Sequence, residues 1–69
     1  MEFTKIERRR EELNAYANAI EQVNIALRFE LDLISGEYSW AKEEDIERAK
    51  IRAEILHTIV LNLEAEALK

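Results

Sequence analysis

"SGEYS", residues 35–39, holds the chain's only glycine, Gly36, in a sequence of 69 residues that has no proline at all. It is the one place where chain-breaking signals gather, so the fold turns on it. Glycine adopts without steric cost the left-handed conformation that closes a helix at its C′ position. Ser39 suits the N-cap of a following helix, with Glu43, Glu44 and Asp45 near the positive end of its dipole. At the far end, Thr4-x-x-Glu7 has the spacing of a capping box. These signals predict a first helix over about residues 5–34, a turn at 35–39 and a second helix over about 40–68. A short link between long helices makes an antiparallel two-helix hairpin, so residues 1–69 are expected to form one all-α domain.

Outward from the turn, apolar residues recur in steps of three and four. The first helix offers Leu13, Tyr16, Ile20, Val23, Leu27 and Ile34, with Ile6 one heptad earlier and Glu30 at a seam position. The second answers with Ile46, Ala49, Ala53, Leu56, Val60, Leu63 and Ala67. This is the repeat of paired helices that pack at about 20°. Each helix also has apolar residues to spare. Ala15, Ala19, Ala26, Phe29 and Leu33 form a second stripe on the first helix, and Ile51, Ile55 and Ile59 flank the seam of the second. Two helices bury one stripe each, whereas the helices of a four-helix bundle are apolar over a wider arc. A homodimer forming a four-helix bundle is therefore expected. Ala15, Ala19, Ala26, Ile51, Ile55 and Ile59 would be its isologous interface.

Composition narrows the function classes. With 48% hydrophobic and 36% charged residues, the chain is too apolar for disorder. It has no cysteine, which excludes disulfides and thiolate chemistry. A core at this size rarely supplies more than about 3–5 kcal/mol, which again favours association. No apolar run approaches the roughly 20 residues that span a bilayer, and "MEFTKIERRREE" lacks a signal-peptide pattern. A cytoplasmic protein is expected. The net charge of −5 is unevenly placed: residues 1–12 are neutral, 13–39 carry −3 and 40–69 carry −2. Such a surface repels nucleic-acid phosphates and suits a basic protein partner.

The single histidine, His57, follows Glu54 by three residues. Glu-x-x-His is the half-site spacing of ferritin-like carboxylate bundles, and the resemblance lies in spacing alone. The hairpin register sets Glu21 beside Glu54. A metal-binding half-bundle using Glu21, Glu54 and His57, completed by a second copy, is thus the alternative function. Glu54 points away from the seam and His57 lies at its edge, which favours a surface or interface histidine and no cofactor. "ERRREE", residues 7–12, looks basic, but Glu11 and Glu12 follow Arg8 and Arg9 at helical spacing. Arginines and aromatics do not interleave, so an RNA-binding hairpin dimer ranks second among the alternatives.

Glu30 is costly to bury unless paired, and Arg48 lies within reach; a buried Glu30–Arg48 pair would fix the register. Tyr38 and Trp40 flank the turn, with Phe29 and Leu33 one or two helical turns before it. Aromatic residues dominate interface hot spots, so these four are the expected partner-binding residues. No catalytic set exists: Ser35 and Ser39 lie far from His57, and one glycine cannot cradle a phosphate. A non-enzymatic, acidic interaction module is expected, a regulator or inhibitor that occludes a basic surface on a target protein. Small acidic proteins of phages and mobile elements supply the analogy.

Overall fold

The computed structural model describes residues 4–69, in which α1 spans Lys5–Ile34 and α2 spans Glu43–Ala67. Thr4 caps α1: its hydroxyl accepts the Glu7 N–H at 3.2 Å and donates to the Glu7 carboxylate at 3.0 Å. At the other end Gly36 takes a φ of 86°. The Glu37 N–H then reaches the Asp32 carbonyl at 3.1 Å, and the Gly36 N–H reaches that of Leu33 at 3.3 Å. This pair of bonds is a Schellman motif, which satisfies carbonyls that the helix leaves unpaired. The glycine thus ends α1 where the sequence placed the turn.

The start of α2 differs. It lies three residues later than expected, because Tyr38–Ala41 form a turn closed by the Ala41 N–H and the Tyr38 carbonyl at 3.1 Å. Ser39 sits inside that turn and does not cap the helix. Lys42 holds the N-cap position with a side chain that has no acceptor. Its own N–H is satisfied instead, by Asp45 Oδ2 at 3.0 Å. Glu43, Glu44 and Asp45 place three carboxylates against the helix dipole.

The helices run antiparallel as a rod of 53 × 17 × 15 Å. Every seam residue expected on α2 is buried or half-buried, and on α1 the same holds from Tyr16 to Ile34. Among the described residues the enclosed ones are Glu30, Leu33, Ala49, Ala53 and Val60. Ala49, at 0% exposure, and Ala53 are small side chains, which lets the helix backbones approach near the turn.

Ile6 and Leu13, expected in the seam, are exposed. Arg9 explains the difference for Ile6. Its Nη2 donates to the Ala67 carbonyl at 2.9 Å and the Lys69 carbonyl at 2.6 Å, so α2 ends level with Arg9. Ile6, one turn earlier on α1, has no apolar partner left. The guanidinium serves the orphan carbonyls and the negative dipole end of α2, which has no basic residue in its own last turn.

Candidate interaction surfaces

Because the Schellman turn folds the chain back, Tyr38 comes to lie over the side of α1. It stands between Phe29 and Trp40, with ring centroids 5.6 Å away on each side and planes tilted by 46° and 34°. Such pairs contribute about 0.5–1.5 kcal/mol each beyond their buried area. The stack holds the link between the helices and leaves an apolar surface outside. Trp40 is 61% exposed, Phe29 is exposed and Tyr38 is half-buried. Leu33 does not belong to this patch. It is 2% exposed and forms part of the core between the helices. Around the rings, residues 32–47 hold six carboxylates against Lys42 alone, a net charge of −5 that equals that of the whole chain.

Glu30 is buried and paired, but with Arg52 rather than Arg48. Arg52 Nε donates to Glu30 Oε1 at 3.0 Å, while Arg48 is held by Glu44 at 2.6 Å on its own helix. Arg52 lies about 40° nearer the seam than Arg48 at about 100° per residue, and Arg48 is engaged by Glu44 one turn before it. Glu30 Oε2 is enclosed without a hydrogen-bond partner, and Arg52 remains about half exposed.

That ion pair also defines a face. On α2, Arg52 lies between the core and the stripe of Ile51, Ile55 and Ile59; on α1, Glu30 lies on the flank that carries Ala19 and Ala26. Their bond sets the isoleucine stripe and the alanine stripe on one side of the rod. Ile51, Ile55 and Ile59 are exposed, as are Ala15 and Ala26, with Ala19 half-buried. The opposite side also exposes apolar residues, Leu31 and Leu61 among them, but Arg28, Lys50 and His57 are interspersed there.

The three residues of the metal reading are not brought together. Glu21 and Glu54 point outward from their own helices, roughly 130–160° from the seam, and His57 is exposed beside the seam of α2. Among the described residues no group of three or more His, Cys, Asp or Glu side chains is placed to hold a metal ion. In the basic run, Arg8 and Arg9 both approach Glu12, at 3.9 and 3.1 Å, and Arg9 is further engaged across the hairpin. Ile6 and Leu13 with Lys5, Arg9, Arg10 and Asn14 line a shallow open depression beside it. At the same end, a hydrogen bond to Glu66, followed by its charge, raises the pKa of the Lys69 ammonium above the ordinary lysine value. No helix of the described residues is long and apolar enough to cross a membrane.

No protein-family model matches the chain, and no curated protein or solved structure matches it.

Proposed function

We propose that this chain is a non-catalytic protein-binding regulator that works as a pair of hairpins in a four-helix bundle and occludes a basic surface on a target protein. One observation carries the reading: exposed, stacked aromatic rings stand at the end of the rod that holds the whole net charge of −5. Rings fixed by mutual stacking lose little entropy on binding, and Trp and Tyr are the residues most often found at hot spots. The surrounding carboxylates steer a cationic surface toward them and discriminate against acidic ones. Phe29, Tyr38 and Trp40 are the anchors in this reading, and the rigid rod beyond them does the covering.

The test is affinity capture with the intact chain and its Trp40→Ala variant, checked for equal helicity by circular dichroism. A captured protein with a basic surface, lost with Trp40→Ala and weakened at least tenfold between 50 and 300 mM salt, is expected. Capture that ignores both Trp40 and salt contradicts the proposal.

A further inference from the structure

The chain has more surface than its mass calls for. Its solvent-accessible area is 5780 Å², whereas a folded monomer of 8.1 kDa exposes about 4500 Å². The excess of about 1300 Å² exceeds the roughly 800 Å² that each partner contributes to a standard stable interface. The radius of gyration, 16.5 Å against about 11 Å for a compact chain of this length, has the same origin.

One side of the rod is shaped to use that surplus. Ile51, Ile55 and Ile59, spaced by four on α2, stand up as a ridge of exposed branched side chains. Beside it on α1, Ala15, Ala19 and Ala26 leave a strip of low relief. Near the turn, the charged groups on this face include Glu30 and Arg52, bonded to each other, and Arg48, bonded to Glu44 on its own helix. A large row next to a small row can pair with itself in two ways: a two-fold along the rod lays each ridge over the other copy's strip, and a two-fold across the rod lays ridge against ridge and strip against strip.

Charge then selects the direction of the two-fold. Residues 32–47 carry −5 at the turn end, and the rest of the chain sums to zero. A parallel pair would set two such ends side by side, within the Debye length of about 8–10 Å at which repulsion is little screened. An antiparallel pair separates them and places each beside the neutral half of its partner.

We infer that two copies pair antiparallel through the Ile51–Ile55–Ile59 ridge and the Ala15–Ala19–Ala26 strip, so that the acidic aromatic turns stand at opposite poles of the bundle. This rests on the pairing in the proposed function and adds to it a face, a direction and a consequence: one bundle offers two identical docking ends and can engage two copies of its target.

The experiment exploits a chain without cysteine. A Ser39→Cys variant, spin-labelled and measured by pulsed dipolar spectroscopy, should give an inter-turn distance of about 40–50 Å, from a rise of about 1.5 Å per residue. A distance under about 20 Å, or ready disulfide cross-linking through Cys at 39, overturns the antiparallel direction. In sedimentation equilibrium the unmodified chain should be a dimer, and Ile55→Glu should weaken association at least 100-fold. Because position 55 meets its own copy near the two-fold, mixing the Ile55→Glu chain with an Ile55→Lys chain should restore dimers, an arm that reads out even if Ile55→Glu alone unfolds. Dimers indifferent to Ile55→Glu overturn the face while leaving the pairing itself intact. A monomeric unmodified chain overturns both, and neither result touches the Trp40-dependent capture.

Discussion

At the turn end of the rod, Leu33, Ala49 and Ala53 are shut away from water around the Glu30–Arg52 pair. Toward the open end, Val60 alone is as well enclosed among the described residues, and Tyr16, Ile20, Leu56 and Leu63 are only half-covered. The turn end is held by packing, with a Schellman motif and a ring stack to finish it. The open end is held by a polar clasp, Arg9 on the last carbonyls of α2. The contrast shows where a thin core spends its apolar area. Alanines draw the helices together beside the link, and away from it the larger seam residues stay partly wet until something else covers them.

Truncating each end's best-buried large side chain should break the symmetry most visibly. Leu33→Ala is expected to cost about 2–5 kcal/mol, most of what a chain of this size holds, and to abolish a cooperative thermal transition. Val60→Ala should cost about 2 kcal/mol or less at roughly 0.8 kcal/mol per methylene, leaving a measurable transition. Equal losses in circular-dichroism melts would erase the distinction between the ends.

The ion pair of the turn end comes next in size. Arg52→Ala strands an enclosed carboxylate and should destabilise by about 1–3 kcal/mol, discounted because the arginine is half exposed. Glu30→Leu should leave stability within about 1 kcal/mol of the parent or raise it, since the unpartnered Oε2 disappears and the arginine returns to water. Chemical denaturation of both variants measures the difference, and matching losses would mean that the pair is valued for its attraction and not for avoiding a stranded charge. The smallest effect belongs to the open end. Arg9→Ala should cost about 0.5–1 kcal/mol. Faster hydrogen exchange should appear near residues 64–68 and leave residues 30–36 unchanged.

Much of this was legible in the linear pattern. Gly36 marks the end of α1 because a left-handed residue is a local requirement, met by glycine whatever surrounds it. The seam of α2 follows from spacing, and every one of its residues is buried or half-buried. Three points were not legible. Ser39 looked like a cap, yet Tyr38 and Trp40 are drawn into a stack with Phe29, nine residues before Tyr38, and the helix starts only after them. Leu33 looked like part of the exposed aromatic patch and is instead core. Glu30 has Arg48 within reach in the hairpin register, yet it bonds Arg52, and Arg48 is taken by Glu44. All three depend on which side chains of the link and the two helices meet, a property of contacts between residues distant in the chain.

By itself, then, the sequence determined that two long helices exist, where the first one stops and which stripe of each faces the other, since caps, glycine and period act within a few residues. Only the tertiary structure decided the axial register, the partner of the buried carboxylate and the stacking of three rings beside a cluster of carboxylates. Those outcomes depend on how one helix lies against the other, and spacing along the chain carries no term for that distance.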